Sequence, residues 1–413
     1  MRVAYVVDSL NWTEAKIFGL MTKHLPGNSF RLIAFGVADA PSAVKTKYDC
    51  GRDASRFVTA IKDFDPDIIH VNRDHPMSEI LRLVSNFDAY KIETLQFDIF
   101  DEQSRIFDAH LPVSSFTALS LGRRFHLQKE YLERTLVVPN LVDVESILKA
   151  SDRVARELRK EGDWLVGLAA RPDSAKTYSP TMLDALKHLR RRVSNFRFLT
   201  IGGMPEAFRS SLPPDLKSHI IDIGPVLGPS VYDYMRALDV YTSFGVRGET
   251  FGVSIAEAMA SAKPVVVNST PWSVNAQTEL VENNATGFVA QSTVGWAEAI
   301  ASLIRRPEYA SRMGGAGRER IIERHHPRLT AEKIAESYEW VQSPNRASSL
   351  AFDAATTIRL FRVNKANIYD RGWRHACPRL STHVRSRLEI AGSSSLAFRG
   401  ALKKLLGSKP SVS

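Results

Sequence analysis

Two glutamates lie eight positions apart in the stretch from Phe244 to Val267, FGVRGETFGVSIAEAMASAKPVVV. Glu249 follows Gly248 and stands at the mouth of a helix that the apolar pattern predicts over Phe251–Ala260. Glu257 lies about two turns inside that helix, which is apolar nearly all round, so its carboxylate needs a partner. We interpret both glutamates as functional; the alternative is that Glu249 offsets the helix dipole and Glu257 is solvated.

The mouth of this helix suits an anion. Free amides at Phe251, Gly252 and Val253 would face the ligand there, and the helix dipole favours negative charge such as a diphosphate. A carboxylate is a poor phosphate ligand. Glu249 is therefore predicted to hold sugar hydroxyls beside the phosphate.

Two cations follow a predicted strand, Asp163–Ala169. Arg171 comes directly after Gly167-Leu168-Ala169-Ala170, and Lys176 lies five residues further on. Cations at a strand end can neutralise a diphosphate leaving group as negative charge builds on it. The alternative is a pair of solvated loop charges.

A third cluster, His70, Arg73, Asp74 and His75, lies at another predicted strand end. Arg73 and His75 are candidates to meet an acidic group on a second substrate. A surface loop of mixed charge is the competing interpretation.

Predicted strands and helices alternate along the chain, which indicates α/β domains with parallel sheets covered on both faces. The pattern restarts after the charged stretch Asp152–Glu161, so we predict two such domains in series with a cleft where the ends of both sheets face each other. The predicted strands of the first domain are Val3–Val7, Phe30–Phe35, Pro66–Val71, Lys91–Leu95, Leu111–Ser114 and Leu136–Asn140.

The run E-T-F-G-V-S-I-A-E-A-M-A followed by K-P-V-V-V, together with Arg171 and Lys176, resembles the nucleotide-sugar site of retaining glycosyltransferases of family 4. The resemblance implies the GT-B fold, with two Rossmann-like domains facing a cleft, over roughly Met1–Val341. The expected parts are an acceptor-side domain at 1–160, a nucleotide-sugar-binding domain at 161–325, a crossover helix at 326–344 and a basic tail at 345–413.

The same resemblance implies roles for individual residues. Glu249 would contact the donor sugar, Glu257 the ribose, and Arg171 and Lys176 the leaving diphosphate, without a metal or another cofactor. No Asp-x-Asp stands at a strand end to clamp a metal. Further donor-binding positions would be Gly224, Gly248, Thr250, Phe251, Gly252 and Val253.

The first domain departs from the family's pattern. Ser9–Thr13 stands where the family usually has glycines, and Gln96 stands where it often has a histidine. Gln96 cannot act as an acid or base, so either Asp98 takes that role or no residue does. Asn11, Arg73 and His75 are the remaining acceptor-side candidates.

Bulk composition fits a two-domain globular protein of 413 residues, with 44% hydrophobic and 24% charged residues. Its two cysteines, Cys50 and Cys377, have no metal-ligand spacing, which suits a reducing compartment and a cytoplasmic location. The start, MRVAYVVDSLNW, is typical of a first strand and not of a signal peptide.

The net charge of +10 belongs to the tail, because residues 345–413 hold 13 Lys+Arg against 3 Asp+Glu. Within it, Ser393–Leu406 interleaves Leu, Phe, Lys and Arg as in a short helix that lies on an anionic membrane face. A disordered basic end is the alternative. Nucleic acid is not an expected partner, since the aromatic residues form no stacking platform.

We therefore predict a retaining glycosyltransferase that uses a nucleotide-sugar donor and a glycan or lipid-linked acceptor in surface polysaccharide, lipopolysaccharide or glycolipid synthesis. It would lie in the cytoplasm, with peripheral contact to the inner face of a membrane. Two alternatives stay open: a nucleotide-sugar epimerase or hydrolase on the same fold, and a non-catalytic donor-binding partner subunit.

Overall fold

A computed structural model describes residues 1–36, 47–97, 102–118, 134–172, 176–226, 228–270 and 274–343. The candidate acid or base Asp98 and the basic tail lie outside the described residues. Within the described part, no helix is both long enough and apolar enough to cross a bilayer.

The first domain is built on a six-stranded parallel sheet in the order β3-β2-β1-β4-β5-β6. Helices α1 (Trp12–His24), α2 (Ala54–Phe64) and α3 (Ser78–Val84) connect its strands. The strands are β1 (Arg2–Val7), β2 (Ser29–Ala34), β3 (Lys47–Asp49), β4 (Ile68–Arg73), β5 (Tyr90–Leu95) and β6 (Ala109–Pro112).

Local sequence explains where these helices begin. The side chain of Asn11 accepts a hydrogen bond from the backbone N–H of Glu14 and so caps the start of α1. Asp53 caps α2 by accepting from the amides of Ser55 and Arg56. Every residue of β4 is buried, as expected for a central strand of a parallel sheet covered on both faces.

The second domain repeats this plan with a sheet in the order β12-β11-β10-β7-β8-β9. Its strands are β7 (Trp164–Ala169), β8 (Phe196–Ile201), β9 (Ile220–Gly224), β10 (Val240–Ser243), β11 (Val265–Asn268) and β12 (Gly287–Ala290). Its helices are α6 (Pro180–Arg192), α7 (Glu206–Ser211), α8 (Pro214–Lys217), α9 (Ser230–Ala237), α10 (Val253–Ala260), α11 (Gln277–Leu280), α12 (Thr293–Arg305) and α13 (Pro307–His325).

Each sheet has one point where the strand order reverses. In the first sheet β1 lies beside β4, and in the second β7 lies beside β10. Loops that leave the carboxyl ends of these neighbouring strands diverge to opposite faces and leave a crevice between them, where α/β proteins bind ligands. This topology positions the candidate site.

Two segments join the domains. The charged stretch predicted as a linker is not wholly irregular, because it contains α5 (Arg153–Leu158), which follows α4 (Val144–Leu148). The final helix, α14 (Pro327–Gln342), returns to the first domain, where Ile334, Tyr338 and Val341 join its core. A helix is therefore present in the segment 326–344, where the crossover helix was predicted, and it packs along α1.

Two local predictions were wrong, and one strand was not predicted. Leu136–Asn140 is not a strand: Thr135 forms an isolated bridge with His110, and the amides of Leu136 and Val138 donate to the carbonyls of His110 and Pro112 without forming a regular ladder. The short edge strand β3 was missed. The sequence also predicts a helix over Ser273–Glu282, but in the described residues only the single turn of α11 is helical there.

Candidate active site

The loops that follow β7 and β10 meet at the reversal point of the second sheet. Lys176, on the first loop, donates from Nζ to Oε2 of Glu249 on the second loop, with 2.6 Å between the two atoms. The side chains are 37% and 20% exposed, so the pair is open to a ligand. The structure thus brings together a cation and a carboxylate that the sequence separates by 73 residues.

The loop that carries Glu249 is anchored at its start. The side-chain amide of Asn268 at the end of β11 forms two hydrogen bonds with the backbone of Gly245, accepting from its N–H at 3.0 Å and donating to its carbonyl at 2.9 Å. Next along the loop, the N–H of Val246 donates to the carbonyl of Lys176 at 2.8 Å. The Lys176 and Glu249 loops are therefore tied together by backbone as well as by side chains.

Buried Gln277 fixes the backbone of Glu249. Its Oε1 accepts from the Glu249 N–H at 2.9 Å, while the Glu249 carbonyl accepts from the N–H of Ala276 at 2.9 Å. The Nε2 of Gln277 donates to the Asn268 carbonyl at 2.7 Å and to the Thr270 hydroxyl at 3.0 Å. Sequence reasoning missed Gln277 and Asn268, because their partners lie far along the chain and leave no local pattern.

Two glycines shape the turn into α10. Gly248 has φ +68° and Gly252 has φ +97°, a left-handed conformation that other residues avoid. The helix begins at Val253, two residues later than predicted, and no side chain caps its N-terminus. Its first amides are therefore available to an anion. The Phe251 side chain instead packs edge-on against His325 and is 3% exposed, so only its backbone can serve a ligand.

The remaining donor-side candidates surround this loop. Arg171 is exposed on the loop that also carries Lys176. Gly224 ends β9, and no atom lies within 4 Å of the place where a Cβ would be. The Thr250 carbonyl accepts from the hydroxyl of Thr117 in the first domain at 3.3 Å.

Glu257 is buried and has two partners, as its position in an apolar helix predicted. Its Oε1 accepts from Nζ of Lys16 at 2.5 Å and from the Tyr232 hydroxyl at 3.1 Å. Tyr232 lies on α9 of the same domain, whereas Lys16 lies on α1 of the first domain. Lys16 was not among the predicted site residues.

A second carboxylate also links the domains. Glu279 on α11 accepts from the backbone N–H groups of Ser115 at 3.1 Å and Phe116 at 2.5 Å, just after β6. Burial raises the pKa of Glu279 to about 7, although these two hydrogen bonds oppose the shift. These two hydrogen bonds and the contact between Thr117 and Thr250 hold the end of the first sheet against the loop that carries Glu249.

The prediction for Arg73 is corrected, because its guanidinium does not face an open site. Arg73 is fully buried and donates from Nη1 to Oε2 of Glu93 and to the hydroxyl of Ser104, each at 2.7 Å. The other Glu93 oxygen lies 2.6 Å from Nδ1 of His110. Arg73 therefore belongs to a buried ionic cluster behind the strand ends, where it cannot meet an acceptor.

A connected group of polar side chains lies at the carboxyl-terminal edge of the first sheet, where the strands end. Glu14 accepts from the side-chain amide of Asn72 at 2.5 Å, and Gln96 donates to Asn72 at 3.0 Å and exchanges two hydrogen bonds with Asn140. Burial, and secondarily the Asp74 carboxylate, raise the pKa of Glu14 to about 7 against the Asn72 hydrogen bond. Gln96 and Asn140 line a small pocket between this edge and α14.

The other acceptor-side candidates lie at the reversal point of the first sheet. His75 is half-exposed, with Nδ1 2.6 Å from Asp74 and Nε2 3.6 Å from Asp8, at the end of β1. Asn11, beyond Asp8, uses its side-chain oxygen to cap α1. His75 thus lies where a second substrate could reach it, while the Asn11 oxygen is already engaged.

Solved structures share this architecture. Anabaena HepE in complex with UDP and glucose aligns with a TM-score of 0.65 at 15% identity, covering 82% of this chain and 99% of that one. Sucrose-phosphate synthase from Thermosynechococcus elongatus aligns with a TM-score of 0.64 at 16% identity, covering 82% and 98%. The two doubly wound domains are those of the GT-B fold.

Sequence comparisons point to the same class of protein as the fold. The model described as "Glycosyl transferases group 1" matches residues 166–306, which include the Lys176 and Glu249 loops. Over these residues the chain resembles that group, and the protein is a glycosyltransferase similar to those of family 4.

Its curated relatives act on a phospholipid. Phosphatidyl-myo-inositol mannosyltransferase of Mycobacterium leprae is 25% identical over 298 residues, 70% of this chain and 77% of that protein. The protein of the same name from Mycolicibacterium smegmatis is 28% identical over 219 residues, 50% of this chain and 55% of that protein.

Proposed function

We propose that this glycosyltransferase moves a sugar from a nucleotide-sugar donor to a lipid-linked or glycan acceptor with retention at the anomeric carbon. The observation that carries the proposal is the pair formed by Lys176 and Glu249, 2.6 Å apart beside the uncapped start of α10. A sugar diphosphate needs a cation near its phosphates and, near its sugar, a group that accepts hydrogen bonds from the hydroxyls. This pair offers both at one place.

The leaving group is stabilised from three directions. Lys176 and Arg171 supply positive charge from the loop after β7, and the first amides of α10 supply the positive end of the helix dipole. Charge-assisted hydrogen bonds of this kind are about twice as strong as neutral ones. We infer that these groups do the work a metal ion would do, so that transfer is metal-independent.

Glu249 takes hydroxyls of the donor sugar, and Glu257 takes the ribose. Because Gln277, Ala276 and Asn268 fix the backbone of the Glu249 loop, the carboxylate is held in place before the donor arrives. Such preorganisation lowers the free-energy barrier, since the groups need not reorganise during reaction.

The acceptor is proposed from the relatives. Both curated proteins described above are named for transfer of mannose to phosphatidyl-myo-inositol. We infer a mannosyl or related hexosyl donor and an acceptor of the inositol glycolipid class, used in glycolipid or surface polysaccharide synthesis. With an acceptor held in a bilayer, we propose that the enzyme works in the cytoplasm at the inner face of a membrane.

The test begins with a thermal-shift screen of UDP, GDP and ADP, because a bound nucleotide raises the apparent stability. Sugars of the stabilising nucleotide are then incubated with phosphatidylinositol or with a lipid-linked saccharide. Nucleotide release is followed together with the mass of the acceptor, and the anomeric configuration of the product is read by NMR.

The expected result is release matched by a glycosylated acceptor with the donor's own anomeric configuration. Release or an altered donor sugar without acceptor product would identify a hydrolase or epimerase. Tight nucleotide binding without turnover would identify a donor-binding subunit, and inversion at the anomeric carbon would refute the retaining mechanism.

A further inference from the structure

Lys16 reaches from the first domain into the nucleotide side of the second. Its Nζ lies 2.5 Å from Oε1 of Glu257, although the two residues are 241 positions apart. The side chains of Lys16 and Glu257 are only 12% and 7% exposed. Because little water reaches either charge, removing one partner of this pair would leave the other charge buried and uncompensated.

The two hydrogen bonds to Glu257 converge on one oxygen. Lys16 and the Tyr232 hydroxyl, 3.1 Å away, both donate to Oε1. Among the residues that the structure describes, no donor is bonded to Oε2. A carboxylate held by one oxygen in this way keeps the other oxygen free in a fixed direction.

The positive charge of Lys16 also favours binding of a negatively charged nucleotide. Glu257 is a buried carboxylate, and a nucleoside diphosphate brings further negative charge into the same region. An ammonium group in contact with Glu257 neutralises it, so the incoming diphosphate is not repelled by an uncompensated charge.

We propose that Lys16 is a positioning residue for nucleotide recognition: with Tyr232 it holds Oε1 of Glu257 so that Oε2 accepts the ribose hydroxyls. This inference rests on the proposed function, in which Glu257 takes the ribose. It adds that ribose recognition requires both domains, because the residue that orients Glu257 lies on α1. Nucleotide affinity is then coupled to the contact between the domains.

The experiment compares a ribonucleoside diphosphate with its 2′,3′-dideoxy counterpart, using whichever of UDP, GDP or ADP the full-length protein binds most tightly. Dissociation constants are measured by calorimetry for the wild type and for Lys16→Met, Lys16→Arg and Tyr232→Phe. The wild type is expected to prefer the ribonucleotide by about tenfold or more, the effect of one hydrogen bond to a charged group.

Lys16→Met is expected to lose most of this preference, Tyr232→Phe to lose part of it, and Lys16→Arg to keep most of it. Lys23→Met is the matched control: Lys23 lies on the same helix and pairs with Glu145 at 2.6 Å, but the side chains are 52% and 46% exposed. Its ribose preference should equal that of the wild type.

If Lys16 only joined the two domains, the experiment would give a different result. If Lys16→Met weakens both ligands by the same factor and leaves the preference intact, Lys16 only joins the domains and the proposal is refuted. If Lys16→Met does not fold, an unchanged preference in Tyr232→Phe refutes it.

Glu257→Gln separates this proposal from the proposed function. An intact ribose preference in Glu257→Gln would remove Glu257 from the ribose site and with it this inference. A preference lost in Glu257→Gln but kept in Lys16→Met would overturn the role of Lys16 alone.

Discussion

Nζ of Lys176 and Oε2 of Glu249 lie 2.6 Å apart, on loops that leave the adjacent strands β7 and β10. Each side chain compensates the charge of the other in this contact. When a sugar diphosphate binds, Lys176 would contact the phosphate and Glu249 would contact the sugar. The pair therefore marks the place of the bond that the proposed reaction breaks.

Lys176→Ala is expected to lower kcat/KM by about a hundredfold or more. Loss of one preorganised donor to a developing charge costs about 2.7–4 kcal/mol in the transition state. Steady-state kinetics with the identified donor and acceptor measure the change, and Lys187→Ala, an exposed lysine on α6, serves as the control. A loss of less than about threefold would show that Lys176 is only a solvated loop charge.

Gly248→Ala is expected to impair both activity and stability. Gly248 has φ +68°, and an added Cβ would overlap the Val274 carbonyl oxygen and the Thr270 hydroxyl oxygen. Such strain costs roughly 1–3 kcal/mol and would displace the neighbouring Glu249. Thermal unfolding and donor turnover check this.

Gly315→Ala provides the comparison for Gly248→Ala, because a Cβ at that position in α13 would meet nothing within 4 Å. Alanine is better than glycine inside a helix by about 0.8–1.0 kcal/mol, so this variant should be as active as the wild type and no less stable. A Gly248→Ala protein with unchanged turnover would mean that the loop tolerates the side chain.

The sequence located the loops that carry Lys176 and Glu249 because their signals are local. Buried strands, helix starts and the spacing of Glu249 and Glu257 can all be recognised within a short window. That Lys176 and Glu249 touch follows from the adjacency of β7 and β10, which the GT-B resemblance implied and periodicity alone could not supply.

Residues whose partners lie far away along the sequence were missed for a physical reason. Lys16, Asn268 and Gln277 owe their roles to partners brought close by folding, and single polar residues carry no periodic signal. Arg73 was misjudged because a strand end was taken for an exposed loop. Residue Arg73 still belongs to β4, which is buried along its whole length.

Arg73→Met is expected to destabilise the fold and to leave the KM for the acceptor unchanged. Removing one partner of a buried ion pair leaves the other charge uncompensated, which costs about 3–5 kcal/mol. Chemical denaturation measures the loss, and Arg2→Met is the control, since Arg2 and Asp65 form an exposed pair worth about 1 kcal/mol or less. A stable variant with weakened acceptor use would restore Arg73 to the acceptor site.

Glu14→Gln is expected to change how stability depends on pH. The pKa of Glu14 is raised from 4.5 to about 7 in the folded protein, so between these values the folded state binds more protons than the unfolded state. The Glu14 contribution to the free energy of unfolding therefore falls as pH rises through this window. The variant should gain stability relative to the wild type from about pH 5 to pH 8, by about 3 kcal/mol at most.

Other groups titrate in the same range, so the difference between variants is the quantity to measure. Burial lowers the pKa of His70 to about 3 and that of His325 to about 4, which acts in the opposite direction, while Glu279 acts in the same direction as Glu14. Denaturation of the wild type, Glu14→Gln and the exposed-site control Glu79→Gln across this pH range isolates Glu14. A flat difference between Glu14→Gln and the wild type would refute the raised pKa.

The tail is expected to bind anionic membranes. Residues 345–413 carry 13 Lys+Arg and 3 Asp+Glu, whereas the remainder of the chain holds 42 of each sign. A chain that ends at Pro344 should stay folded, because every strand of the two sheets lies before residue 291 and α14 ends at Gln342. Only the full-length protein should sediment with vesicles that contain anionic lipid.

Two further measurements test the physical basis of this binding. Added salt should weaken it, because surface charges are screened over about 8–10 Å at moderate ionic strength. Replacing Leu402 and Leu405 with Ser should weaken it without changing the charge, because the apolar side chains would no longer enter the membrane interface. Turnover of a soluble acceptor should survive truncation, while turnover of a bilayer-held acceptor should fall. Equal sedimentation of the full-length and truncated proteins at low salt would exclude the tail as the anchor.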